Sequence, residues 1–294
     1  MFIQIHMLQS MPPGNLNRDD TGQPKKCVFG GVTRGRISSQ CLKRNIRHSF
    51  QFKAAFGDAL ASRTQYLPQM VADELRKDAT LGVPGDDLDE LMLAIAGKFK
   101  KEKRGGDADK ERGEAEGNDA STAEGLGKTP QLVFFPQPFA RRVAELVADL
   151  RKRSENAYRR FLGRRVPKGQ EESLDAEVGE FVQQASAASK ALTVDIGLFG
   201  RMTTSDLVVN VEATCQVAHA ISTHETLIES DYFTAMDDRK AEHTTAQTER
   251  AGAGFIGSGE TETFFSSGVY YKYLNLDVDA LRGSSCVCVG SLMG

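Results

Sequence analysis

The chain has 294 residues, of which 40% are hydrophobic and 26% charged, with a formal net charge of -3 and no Trp. That composition suits one large domain or two small ones with ample core, and it excludes a general polycation and a low-hydrophobicity disordered chain. No apolar run approaches the roughly 20 residues of a membrane span.

The start, MFIQIHMLQSMPPG, lacks the basic and apolar regions of a signal peptide, so a cytoplasmic location is expected. The cysteines Cys27, Cys41, Cys215, Cys286 and Cys288 are odd in number and irregularly spaced, which fits reduced thiols. Cys286 and Cys288 have no second ligand pair at zinc spacing, and no metal or cofactor is expected.

Residues 2–9 alternate, with Ile3, Ile5 and Met7 on one face, which predicts a half-buried strand. A loop rich in turn formers follows. Across residues 14–50 the basic side chains are Arg18, Lys25, Lys26, Arg34, Arg36, Lys43, Arg44 and Arg47, against Asp19 and Asp20 alone. A local basic patch on a mildly acidic protein points to a specific anionic contact. Gly30-Gly31 marks a turn. Ser38 and Ser39 precede a helix from about Ser39 to Phe50, in which Leu42, Ile46 and Phe50 recur at helical spacing. A serine-capped helix start with free amides is a phosphate seat. Lys43, Arg44 and Arg47 lie off the apolar stripe, where they line an anionic track or simply form a solvated basic face.

Residues 51–190 read as mostly helical, with candidates at Pro68–Lys77, Asp86–Lys98, Phe139–Ser154 and Ser173–Ala191. Residues 99–128 mix both charge signs with glycine and read as a disordered loop. Arg141, Arg142, Arg151, Lys152, Arg153, Arg159, Arg160, Arg164 and Arg165 make a second basic cluster, which a solvated helix face explains as well as nucleic acid does. Strand signals return at 192–202, 209–223 and 267–278, the last placing Tyr271 and Tyr273 on one face and Tyr270, Lys272 and Leu274 on the other. Residues 225–265 form a polar, glycine-bearing excursion between strands. His219 and His224, five apart, suit no metal and are expected to be structural.

The order of strand, helix and strands with a helical insertion predicts an α+β fold with a ferredoxin-like or RRM-like core. Several blocks carry a family resemblance: Asn15–Asp20, Phe29–Gly31, Arg36–Arg44, Asp195–Met202, Ala218–His224, Phe233–Asp238 and Ser266–Tyr271 with Tyr273. In that order they resemble the backbone subunit of the type I-E CRISPR Cascade complex, the CasC family. The resemblance implies an RRM-like palm (residues 1–50, about 190–224 and 266–294), inserted helical fingers (51–189) and a thumb hairpin (about 225–265). It implies that Arg18, Lys25, Ser38, Gln40, Lys43 and Arg44 contact a guide RNA backbone, with Arg36, Arg47 and Arg201 completing the basic set. Met202 then matches a wedge beside splayed bases. The implied partners are crRNA, target DNA paired to it, like protomers in a head-to-tail filament, and other Cascade subunits. The chain ends sooner than its family does, which suggests an incomplete palm.

Two other readings stand beside this one. Asp19 and Asp20 in the basic loop resemble the aspartate with which type III backbone subunits cut target RNA, a metal-dependent chemistry. A stand-alone RRM-like RNA-binding protein would bind RNA without polymerising. No Ser-His-Asp or Cys-His grouping stands out, and the chain is expected not to be an enzyme.

Overall fold

The computed structural model describes residues 1–99, 127–232 and 262–284. The expected loop at 99–128, most of the 225–265 excursion, the Phe233–Asp238 block and the tail with Cys286 and Cys288 lie largely or wholly outside the described residues.

The first elements are β1 (Phe2–Gly14), β2 (Lys26–Phe29), β3 (Val32–Ile37), α1 (Ser39–His48), α2 (Phe50–Phe56) and β4 (Ala61–Thr64). The helices α3 (Leu67–Lys77) and α4 (Leu88–Gly97) come next, then β5 (Val133–Pro136), α5 (Phe139–Arg153), α6 (Glu155–Phe161), α7 (Glu171–Ala188) and α8 (Val194–Phe199). The chain continues through β6 (Cys215–Val217), β7 (Ala220–Ser222), β8 (Glu229–Tyr232), β9 (Glu262–Asp277) and α9 (Val278–Gly283). It divides into two compact units. One comprises Ile3–His48 and Gln216–Leu276; the other comprises Met1–Phe2, Ser49–Cys215 and Asp277–Gly294.

The first unit is a sheet of seven described strands in the order β1-β9-β7-β3-β2, with β6 and β8 also paired to β9. The described register of β2, β3, β7 and β9 is antiparallel: Lys26 opposes Gly35, Arg36 opposes Ile221, and Ile221 opposes Tyr271. Opposed residues share a face. Arg36, Ile221 and Tyr271 therefore point one way, and Ile37, Ala220 and Tyr270 the other. The second set is buried and packs with Met11, Cys41 and Leu42, so α1 covers that face.

The β2–β3 hairpin closes through Gly30 (φ 66°) and Gly31 (φ 81°), the double positive φ of a two-residue type I′ turn. The sequence marks the turn but not its two strands, which are short and strongly basic. β1 forms as expected and runs longer. Its predicted half-burial is corrected: Ile3, Ile5 and Met7 remain 38%, 42% and 40% exposed. The same alternation carries Met11 into the cluster under α1, but nothing among the described residues covers the other three. The strand expected over 209–223 is two short ones separated at Ala218–His219, although Ala218 N–H still donates to the Tyr273 carbonyl at 3.0 Å.

The second unit is mainly helical. The apolar stripes of α3, α4, α5, α6 and α7 meet in one cluster containing Val71, Ile95, Val143, Tyr158 and Phe181, all fully buried. A small ribbon of β4 and β5 pairs Ala61 with Pro136. The strand expected over 192–202 is instead the helix α8. Val194, Asp195, Ile196 and Gly197 are all buried, and a short apolar run buried all round carries no periodicity to tell helix from strand. Gly200 (φ 76°) ends the helix. Residues 190–215, expected with the sheet half, cluster with the helices.

Candidate nucleic-acid interface

The basic stretch folds around the start of α1 in the sheet unit. The loop ahead of it is ordered by its own polar side chains. Asp19 Oδ1 accepts from Thr21 N–H at 2.9 Å, Thr21 Oγ1 at 2.8 Å and Gln23 N–H at 3.0 Å. The Thr21 hydroxyl, above all, holds the Asp19 carboxyl below its ordinary pKa, helped by amides and by Lys26. Asn15 Nδ2 donates to the Gly22 carbonyl at 2.9 Å. Lys25 N–H donates to the Asn17 carbonyl, and Arg36 N–H to the Lys25 carbonyl, each at 2.8 Å. Two further bonds join this loop to the helix start: Ser38 N–H donates to Asn17 Oδ1 at 2.9 Å, and Cys41 Sγ to the Leu16 carbonyl at 3.9 Å.

Ser38 is buried and occupies the N-cap. Its Oγ accepts from Cys41 N–H at 3.3 Å, and its carbonyl accepts from Leu42 N–H at 3.1 Å. The first turn of α1 holds no acidic residue. Gln40 and Arg44 are exposed, while Lys43 and Arg47 are half-buried on the same helix. Arg18 is exposed and Lys25 half-buried in the loop. Neither Arg18, Lys25 nor Arg44 forms an ion pair among the described residues. Arg36 Nε is buried with no hydrogen-bond partner. A capped helix start flanked by cations without ion pairs has the chemistry that suits an anion such as a phosphodiester.

The second basic cluster is mostly of another kind, although Lys152, Arg159 and Arg165 within it form no ion pair among the described residues. Arg141 pairs with Asp78 at 2.6 Å and Glu145 at 3.2 Å, Arg153 with Glu180 at 3.2 Å, and Arg160 with Asp175 at 2.8 Å. Arg164 binds Asp87 at 2.7 Å and Glu90 at 2.5 Å. Asp87 in turn accepts from the buried Tyr158 hydroxyl at 3.1 Å, and burial, foremost, raises that phenol's pKa. These arginines are neutralised locally and knit the helices together.

Arg201 requires a correction. It belongs to the helical unit, is 4% exposed, and donates from Nε to the Val209 carbonyl at 2.8 Å, from Nη1 to Phe134 at 3.1 Å and from Nη2 to Ser189 at 2.8 Å. Burial without a carboxylate pulls its pKa down to about 10. It is an internal clamp on main-chain carbonyls, not a surface cation. Met202 beside it is 93% exposed, which excludes a core role. His224 is structural: Nε2 accepts from Val269 N–H at 3.3 Å while Nδ1 donates to the Glu225 carbonyl at 2.7 Å. Among the described residues no group of three or more His, Cys, Asp or Glu could hold a metal ion, and no helix is long and apolar enough to cross a membrane. The residue that sequence reading passes over is Asn17, whose signal is the Asn-Leu-Asn start of the loop.

Comparison with known proteins adds to this geometry. Residues 3–286 match the family described as CT1975-like protein. A chain in a solved structure titled "CRISPR RNA-guided surveillance complex, pre-nicking" is 28% identical, with a TM-score of 0.63; the match covers 97% of this chain and 67% of that one. A second, titled "CRISPR RNA-guided surveillance complex", is 24% identical with a TM-score of 0.55, covering 97% of this chain and 66% of that one, and supports the fold alone. The chain thus spans about two thirds of the length of these structural relatives. No curated protein matches it.

Proposed function

Because the chain belongs to the CT1975-like protein family, we propose that it is a guide-RNA-binding backbone subunit of a type I-E CRISPR interference complex, Cascade. Copies polymerise head to tail along one crRNA and present it for base pairing with target DNA, alongside other Cascade subunits. The sheet with α1 serves as an RRM-like palm, the helical unit as fingers, and the 225–265 excursion as a thumb.

The observation that carries this reading is the contrast between the two basic clusters. Around α1, Arg18, Lys25 and Arg44 lack ion pairs among the described residues, whereas Arg141, Arg160 and Arg164 of the helical unit are engaged by carboxylates. Ser38, Gln40, Lys43 and Arg47 complete the phosphate track, and exposed Met202 is the wedge against bases. The chain acts by binding, not by catalysis: of the two aspartates a target-RNA nuclease reading could use, Asp19 and Asp20, Asp19 already accepts three hydrogen bonds within its own loop.

Size-exclusion chromatography of the purified protein with its co-purified nucleic acid tests the proposal. A multimer carrying an RNA of defined length is expected. A monomer free of RNA, or indifferent to added single-stranded RNA, overturns it. Regular cleavage of matched RNA with a divalent metal, abolished by Asp19→Ala or Asp20→Ala, would favour the nuclease reading instead.

A further inference from the structure

The face of the sheet turned away from α1 holds a cavity of about 610 Å3, lined within the sheet unit by aromatic and basic side chains. Tyr271 and Tyr273 stand on it two residues apart along β9, so both project to the same side. His6 of β1 joins them: its ring centre lies 4.9 Å from that of Tyr273 and 6.1 Å from that of Tyr271, tilted at 45° and 36°. His6 Nδ1 is hydrogen bonded to the Tyr271 hydroxyl at 2.7 Å. The three rings form a connected aromatic wall, and Tyr271 is still 41% exposed.

Arg34 supplies the cavity's charge. Its Nε donates to the Phe29 carbonyl and its Nη1 to the Ser222 carbonyl, each at 3.2 Å. Both bonds fix the guanidinium without neutralising it, and it forms no ion pair among the described residues. Arg36, with its unpartnered Nε, projects from the same face by the register that sets it opposite Ile221 and Tyr271.

An apolar protein side chain would need neither cation, and a lone phosphate would not need the rings. A ligand that brings a planar π-face and an adjacent anion uses both. We infer that this cavity receives one unstacked base of a single-stranded RNA, stacked against the wall of His6, Tyr271 and Tyr273, with Arg34 and Arg36 meeting its phosphodiester side. The inference rests on the RNA-binding role proposed above and adds a second contact, through bases, to the phosphate track at α1. Stacking of this kind is tolerant of sequence, because every base offers a π-face.

The test uses the full chain with a single-stranded RNA carrying 5-iodouridine, a base that photocrosslinks to aromatic rings stacked on it. Crosslinked peptides are expected to contain His6, Tyr271 or Tyr273. The double variant Tyr271→Ala, Tyr273→Ala is expected to bind the RNA about five- to a hundredfold more weakly. Its salt dependence should stay as in the parent, because a stacked ring releases no counterions. The double Tyr→Phe variant should bind within about twofold of the parent, because it keeps the rings. Crosslinks on the parent chain need no variant to fold; a circular dichroism melt checks those that are made. RNA binding with crosslinks confined to residues 38–47, and an unaffected double Ala variant, overturns this pocket while leaving the backbone-subunit reading intact. Failure of the parent chain to bind RNA at all removes both.

Discussion

Asn17 Oδ1 accepts the Ser38 backbone N–H at 2.9 Å across 21 residues of sequence, tying the basic loop to the cap of α1. The Asn17 carbonyl meanwhile accepts Lys25 N–H at 2.8 Å. Asn17 thus helps to set where the loop's cations lie relative to the helix start, together with the Arg36 N–H bond to the Lys25 carbonyl.

Asn17→Ala should leave the Ser38 amide without its partner. A loss of about 1–2 kcal/mol in stability is expected from denaturant unfolding, together with weaker RNA binding. Asn17→Asp keeps the acceptor, so it should recover most of the stability. Its added negative charge should still depress RNA affinity. Equal stability for the parent and Asn17→Ala would show that the tether is idle.

Charge reversal at Lys43 and Arg44 tests the track itself. Affinity for single-stranded RNA should fall, and the slope of log affinity against log salt should flatten by about 0.7 for each phosphate that is no longer neutralised. An unchanged slope would mean that these side chains do not meet phosphate.

Gly35 probes packing within the sheet unit. A Cβ there would sit 2.4 Å from the Tyr270 hydroxyl and 3.1 Å from Thr226 Oγ1, while the Gly35 N–H donates to Ser222 Oγ at 3.1 Å and Thr226 Oγ1 at 2.9 Å. Gly35→Ala should therefore cost about 1–3 kcal/mol. Tyr270→Phe in the same chain removes the nearest atom and should recover part of that loss. A thermal melt of the two single variants and the double variant reads the coupling.

Arg201 and Met202 separate structure from binding. Arg201→Ala strips two buried carbonyls and one part-buried carbonyl of this donor and should destabilise the helical unit by on the order of 3 kcal/mol. Met202→Ala, at 93% exposure, should change stability by no more than about 0.5 kcal/mol. Any effect of Met202→Ala on RNA binding is then a contact effect.

The carboxylates of the helical unit set its response to acid. Asp78 is held below its ordinary pKa first by the Thr80 hydroxyl and then by Arg141, Glu145 chiefly by Arg142, and Asp175 chiefly by Arg160. A folded-state pKa below the unfolded value contributes stability above about pH 4, and that stability is lost as pH falls through the folded value. Melting temperature should therefore stay level from neutral pH to about 5 and drop below about 4. A decline already complete at pH 5 would contradict these pairings.

Much of this is legible along the chain. The spacing of Leu42 and Ile46 behind Ser38 marks α1, and the stripes of α3, α4, α5 and α7 mark the helical unit, because a 3.6-residue period survives in the order of residues. The alternation around Tyr270 and Tyr271 likewise shows that the two rings face opposite ways. The hairpin of β2 and β3 escapes sequence reading because short, basic, half-exposed strands carry almost no hydrophobic period. The helix α8 reads as a strand because a segment buried on every side has none.

Residue type and spacing alone determined that a basic stretch precedes a capped helix and that the chain is mixed α+β. Tertiary structure decided which charges are available. Arg201 and Arg44 are the same residue type, yet one is enclosed by carbonyls and the other faces solvent. Whether a cation is compensated depends on neighbours far away in sequence, as Asp175 is for Arg160 and Asp87 for Arg164, and only folding brings them within reach.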